Sequence, residues 1–441
     1  MKFWKIMLLG FFIVPWVGFI QARQATSAEQ ENQPVDKVSA GLLLQTQQLL
    51  QIQRRIKQLG GKLVLNDRGQ PSRIDLHERQ ANDADLKMIS QLQTLERLSL
   101  WGAEISDAGI RELAALENLV VLKLENTEIT DDGLAEIAHL KKLKDLNLRR
   151  STYLTDEGLA HLKKLPSLQY LHLLYNNFGD DGLAYLQDIT GLRLLDLRGC
   201  VLVGDDGLAH LARSKNLRAL KIRSSITDEG LAHLKDLSGL VDLTLEDTQI
   251  TDEGMPTLSS FPKLHTLTLF RSSYITDEGL QSLSGLTKLR RLSIRDIALT
   301  EAGIAHLESL KNMEKLDLSE TQAGDAALAY LTKMPKLAWL NLWHTPLSDA
   351  GMVHLTTMQT LAWLSLKDTE ITDQGLAHLD SLSNLTELDL EENEITDAGL
   401  KHLTGLKKLK KLNLRLTHVT SSGIQKLQTT LPTTKIISDV K

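Results

Sequence analysis

The chain repeats itself. Leu122-Lys123-Leu124, then Thr127, Ile129, Thr130-Asp131-Asp132-Gly133-Leu134, Leu140 and Leu143 define a unit of 23 to 25 residues that recurs about fifteen times along the 441-residue sequence. Its paired apolar positions include Leu98/Leu100, Leu146/Leu148, Leu171/Leu173, Leu220/Ile222, Leu316/Leu318, Leu340/Leu342, Leu388/Leu390 and Leu412/Leu414. A unit this short cannot bury its own apolar face, so each copy must stack on its neighbours. That restricts the fold to a solenoid, in which contacts run between adjacent copies rather than across a globular core.

Each unit can be read from its residues. In the Leu-x-Leu segment the two leucines point one way and the residues around them the other, which predicts a short strand with one buried face. Stacked copies then form a parallel sheet. After the strand, Thr127, Asn176, Cys200, Thr248, Thr321, Thr369 and Asn393 share one column, where a small polar group can satisfy backbone atoms of the turn. Thr130, Thr155, Thr227, Thr251, Thr276, Thr372 and Thr396 stand just before helical segments as caps, and the acidic residues after them face the positive helix end. Lys141, Lys142, Lys163, Lys164, Lys407 and Lys408 come near helix exits, so one rim should be acidic and the other basic.

Leu364-Ser365-Leu366, Thr369, Ile371-Thr372-Asp373-Gln374-Gly375-Leu376 and Leu379 resemble one copy of a leucine-rich repeat of the form LxLxxTxITDxGLxxLxxLxxL. The resemblance runs from about residue 74 to 437, roughly four-fifths of the chain. It is similar to exported bacterial leucine-rich-repeat proteins and to the repeat half of F-box and ribonuclease-inhibitor-like proteins. The resemblance implies an α/β fold, a right-handed horseshoe with its parallel sheet on the concave face and short helices on the convex face. It also implies a binding scaffold. The F-box branch, a substrate-recognition subunit, is disfavoured because no F-box-like segment precedes the repeats and the helix at 38–59 is too short to supply one.

The two ends follow different rules. Lys2 and Lys5 precede an apolar run from Ile6 to Ile20, and Thr26-Ser27-Ala28 offers small residues to a signal peptidase, so residues 1–28 read as a signal peptide. An uncleaved anchor is the alternative, although about 15 apolar residues is short for a span. Residues 29–37 read as a flexible linker, and 38–76 as a capping helix and hairpin. The helix stops at Gly60-Gly61, and the hairpin turn is Asp67-Arg68-Gly69-Gln70. Repeats fill 74–431, and 432–441 reads as a capping strand and tail. The expected location is secreted, periplasmic or at the cell surface, with no stable membrane insertion after cleavage. The single cysteine, Cys200, excludes an internal disulfide.

Charge and motifs exclude whole classes of chemistry. With a net charge of −6 and interleaved signs, the chain lacks the basic face that displaces phosphate counterions, so nucleic acid is not an expected partner. The acidic pairs Asp180-Asp181 and Asp205-Asp206 are explained by helix capping rather than calcium. His161, His210, His233, His306, His354, His378 and His402 recur at one helix position, and helices about 8–10 Å apart do not bring such rings onto one ion. No metal site, cofactor or catalytic residue is expected. Cys200 reads as an inert buried thiol.

Recognition is therefore sought on the outward strand positions, where the repeat demands nothing. Trp339 and Trp363 hold one position in successive units and Trp343 lies two pleats on from Trp339, bordered by His344 and Lys367. Tyr170, His172 and Tyr175 form a second group with Arg198 and Arg223, and Arg291 and Arg295 carry basic character toward the tryptophans. Glu387, Asp389, Glu391 and Glu392 then reverse the sign. Aromatic and arginine residues together are typical of interface cores, which points to a protein partner. A carbohydrate or envelope polymer stacked on the tryptophans is the alternative.

Overall fold

The structure, a computed structural model, describes residues 37–440; the expected signal peptide and residues 29–36 of the expected linker lie outside them. The chain divides into two compact units, Met1–Arg54 and Arg55–Lys441. The described part of the first is helical, and the same helix, Lys37–Gln58, ends inside the second. Lys37, expected to close the linker, is thus already helical. The helix stops where Gly60 takes a left-handed conformation at φ 77° and the Gly61 amide donates to the Ile56 carbonyl at 2.8 Å.

A hairpin follows, with Lys62–Leu65 antiparallel to Pro71–Gln80. Asn66 closes its turn by accepting from the Arg68 and Gln70 amides, both at 3.0 Å. From Pro71–Gln80 onward every strand pairs in parallel with the next one in sequence, through to Lys435–Ile437, giving one unclosed sheet of seventeen strands. Register is set by the leucines: Leu316, Leu340, Leu364, Leu388 and Leu412 stand opposite one another on successive strands. Their side chains are buried. A one-residue slip would turn that whole row to water, so the pattern pins the pairing.

The polar column behaves as its position demands. Asn176 donates to the Leu148 and Leu173 carbonyls at 2.8 and 3.0 Å, joining one unit to the next, and Asn393 does the same with Leu366 and Leu390. Cys200 lies in this column, wholly buried, its thiol 3.0 Å from the Leu173 carbonyl. Burial pushes its pKa up to about 11, which makes it inert.

Most of the expected caps form, with Thr130, Thr227 and Thr372 accepting an amide two residues on. Thr155 does not; its hydroxyl donates to Asp131 and Glu157 instead. Several of the expected helices are 3-10 turns, among them Glu157–Lys164, Met255–Ser260 and Gly351–Thr357.

The acidic residue after each cap does more than face a helix end. Asp107 accepts from both the Thr130 amide, at 2.8 Å, and its hydroxyl, at 2.6 Å, in the next unit. Asp349 and Thr372 repeat this geometry, as do Asp373 and Thr396. The carboxylate lies against the backbone of the following Gly-Leu step, where a Cβ on Gly133 or Gly375 would collide with it. Glycine is required there by close approach, not by φ. Two units depart from the rule, and both lack an aspartate before them. Glu301 stands where aspartate is usual, and the next unit carries Ala327 in place of glycine. At the start of the array no unit precedes Asp85, which fills the glycine position and receives both Nε and Nη2 of Arg55 from the helix, at 2.7 and 3.1 Å.

Candidate partner-binding face

The outward positions flanking each buried leucine form rows across the sheet. In the first row Lys315, Trp339, Trp363 and Glu387 stand opposite one another on consecutive strands. The Trp339 and Trp363 rings stack with centroids 4.2 Å apart and planes 11° apart. That separation is close to the spacing of neighbouring strands, so the rings stand upright on the sheet, face against face. They make a ridge rather than a flat platform. The other face of Trp339 is covered by the Lys315 ammonium, 5.5 Å from the ring centre.

Trp343 does not join this stack. It lies beyond the strand Trp339–Asn341, and among the described residues it has no ring contact with either tryptophan. Arg295 and Lys367 sit over it at 5.1 and 5.8 Å, and the His344 ring is 6.5 Å away. The expected single group of three tryptophans is therefore two groups, because the strand ends before Trp343. His344 follows in the left-handed region at φ 53° and its Nδ1 is 2.5 Å from Asp368. Asp247, Asp296, Glu320, Asp368 and Tyr175 share that conformation at the same place in their units. Sequence reasoning passed over this column, although Gly102, Asn126 and Gly199 within it were a signal. Asp296, Glu320, Gln322, Trp343, His344 and Asp368 line an open cleft of about 520 Å³.

Around the tyrosines most of the cations are paired, although Arg150, against Tyr175, has no carboxylate partner among the described residues. Arg198 forms a forked pair with Asp196, at 3.0 and 2.9 Å, and lies 3.7 Å from Glu246. The Asp196 hydrogen bond raises the already high pKa of its guanidinium. Arg223 pairs with Asp247, which also takes Arg271 at 3.0 Å. His172 is half-buried, which lowers its pKa, while Asp145 at 3.6 Å pulls the other way. Tyr170 and Tyr175 remain exposed; Tyr175 lies past its strand with Arg149 and Arg150 at 5.6 and 5.3 Å.

Ion pairing continues down the face. Arg295 bonds Glu320 at 2.9 Å, and Lys367 bonds Glu391 at 3.0 Å. Glu391 is buried and also accepts from Asn413 and Arg415 at 2.6 and 2.7 Å. Burial alone would raise its pKa, but these three donors hold it below the ordinary glutamate value. The acidic end expected from Glu387 to Glu392 is thus partly neutralised from within. Among the described residues Arg291 has no carboxylate partner, and neither does Lys315, a residue that sequence reasoning did not single out. The signal was its place in the tryptophan row.

Among the described residues no three histidine, cysteine, aspartate or glutamate side chains are grouped to hold a metal ion. The histidines of the helix column are half-buried. No helix of the described residues is long and apolar enough to cross a membrane.

No curated protein matches the chain. Among solved structures, an internalin of Listeria monocytogenes is similar at 22% identity and TM-score 0.57, over 76% of this chain and 94% of that one. A leucine-rich-repeat protein of Leptospira interrogans is similar at 19% identity and TM-score 0.53, over 79% of this chain and 91% of that one. Both likenesses are of fold. A family model described as a leucine-rich repeat region matches residues 178–430, and one described as a leucine-rich repeat matches 115–138 and 164–186. Since the first alone spans more than half the sequence, and its strands, leucine register and open sheet are those of a repeat solenoid, the chain belongs to the leucine-rich-repeat family.

Proposed function

We propose that this chain is a non-catalytic scaffold of the cell envelope or exterior that recognises a protein partner on the outward face of its sheet. The observation that carries this reading is the Trp339–Trp363 ridge, two large half-buried rings at positions the core does not use. Tryptophan anchors bury a large area at low entropic cost, which is why they dominate interface energetics. The ridge also speaks against the glycan alternative. A sugar ring stacks on an open aromatic face, whereas Trp339 is held between Trp363 and Lys315. Location rests on the amino-terminal pattern of Lys2, the apolar run and Ala28.

The test is affinity purification from envelope fractions with wild-type protein and with Trp339→Ala/Trp363→Ala, identifying bound proteins by mass spectrometry. A partner retained by the wild type and lost by the variant supports the reading; equal recovery by both overturns it. Amino-terminal sequencing of the same material should begin after Ala28. Met1 at the amino terminus would mean an anchor.

A further inference from the structure

One stretch of the sheet face gathers two unpaired cations and three unpartnered hydroxyls beside the tryptophan ridge. Thr266, Thr268, Arg291, Ser293, Lys315 and Trp339 line a cleft of about 220 Å³ across four successive strands, closed on its far side by the tryptophan ridge. One carboxylate, Asp317, also lines it, and its Oδ1 is already engaged by the Ser319 hydroxyl at 2.7 Å and the Asn341 amide at 2.9 Å. Among the described residues the three hydroxyls engage no hydrogen-bond partner, and neither Arg291 nor Lys315 is paired with a carboxylate. Both cations are exposed. Elsewhere on this face most arginines and lysines beside aromatic residues are compensated, Arg198 by Asp196, Arg223 by Asp247, Arg295 by Glu320 and Lys367 by Glu391, with Arg150 against Tyr175 the exception.

The geometry points to this cleft as the site for an acidic segment of the protein partner, with carboxylates on Arg291 and Lys315 and an adjoining apolar side chain against the tryptophan ridge. The inference rests on the protein-binding reading above and names the chemistry of what is bound. A guanidinium and an ammonium on adjacent strands offer two charge-assisted contacts, and the small hydroxyls between them can donate to the same carboxylates. The threonines and serine keep the floor low, so an extended chain can cross the strands and reach both cations. Lys315 keeps its charge in the right place by lying against Trp339. An acidic glycan would satisfy the cations equally well, but it would find no open ring face on Trp339 to stack on.

The experiment follows Trp fluorescence and titration calorimetry of the full mature chain with three probes. They are a capped peptide of alternating glutamate and phenylalanine, its lysine counterpart, and an oligogalacturonate. The acidic peptide should bind, weaken as salt rises, and lose about tenfold in affinity in Arg291→Gln/Lys315→Gln, the size of a lost charge-assisted hydrogen bond. Lys407→Gln/Lys408→Gln, on the helix side, serves as the charge control and should bind as the wild type does. Unchanged melting temperatures would show that each variant folds. No binding of the acidic peptide, or equal binding by the cleft variant and the wild type, overturns the inference. Oligogalacturonate binding that is tighter than the peptide's and lost in the cleft variant overturns it in favour of a glycan. If a partner recovered from the envelope is lost by Trp339→Ala but kept by Arg291→Gln/Lys315→Gln, the acidic segment fails while the protein-binding scaffold stands.

Discussion

The tyrosine and tryptophan regions of the sheet face are built from the same kinds of residues and end in opposite electrostatic states. Around Tyr170 and Tyr175, Arg198 and Arg223 are held by Asp196, Glu246 and Asp247, and only Arg150 lacks a carboxylate among the described residues. Beside Trp339 two cations, Arg291 and Lys315, are paired with no carboxylate among the described residues. Composition is therefore a poor guide to what a surface offers. A paired arginine must break its own bonds before it can make new ones, so the tyrosine region is mostly self-satisfied and the tryptophan region is not.

The largest effect available should not distinguish the two regions at all. Leu171 and Leu340 are equivalent buried residues beneath the tyrosine and tryptophan strands, and changing either to alanine should cost about 2–5 kcal/mol in denaturant unfolding. A much smaller cost at one site would mean that the two regions differ in core packing and not in surface chemistry alone.

Binding should then separate them. Trp339→Ala should weaken partner affinity by about 2 kcal/mol or more, while Tyr170→Ala should cost less than about 1 kcal/mol. The reverse ranking would move the site to the tyrosines. Trp339→Ala should lower stability by the stacked pair, about 0.5–1.5 kcal/mol, together with the buried part of the ring.

A single substitution can make the first region resemble the second. Asp247→Asn removes the carboxylate shared by Arg223 and Arg271, at a stability cost of at most about 1 kcal/mol because the pairs are partly exposed. If unpaired cations beside aromatic rings are what matters, this variant should gain affinity for the acidic peptide. No gain would leave the tryptophan ridge itself as the difference.

The pH dependence gives the smallest and most local test. Glu391 has its folded pKa depressed by Lys367, Asn413 and Arg415, so its contribution is complete above the unfolded glutamate value and is lost as pH falls through the folded one. Glu391→Gln should flatten the acid limb of the stability curve, measured by melting temperature between pH 6 and about 3. An unchanged acid limb would assign it to other carboxylates.

What was legible in the sequence followed the periodicity. The alternation of Leu340 and Leu342, the upright neighbours Trp339 and Trp363 and the buried column of Asn176 and Cys200 are fixed by repeat spacing and strand geometry alone. Ion pairing was not, because arginine and lysine side chains are long enough to choose among acids on their own strand or the next. Arg198 takes Asp196 two residues away, whereas Arg295 reaches Glu320 in the following unit. Nor did spacing reveal that Trp343 falls past the strand end, where the backbone turns into the left-handed residue His344.

The carboxylate that reaches from each unit to the next also bears on how such an array can be lengthened or shortened. A segment carrying Ala327 fits behind Glu301, but placed behind Asp349 it would bring a methyl group against a carboxylate where Gly375 leaves room. Duplication or deletion of one unit is therefore tolerated only when the aspartate and the glycine that meet at the new boundary still match. Exchange between copies is governed by the seam, and the segment that travels as a functional whole is the one running from an aspartate to the glycine of the unit after it.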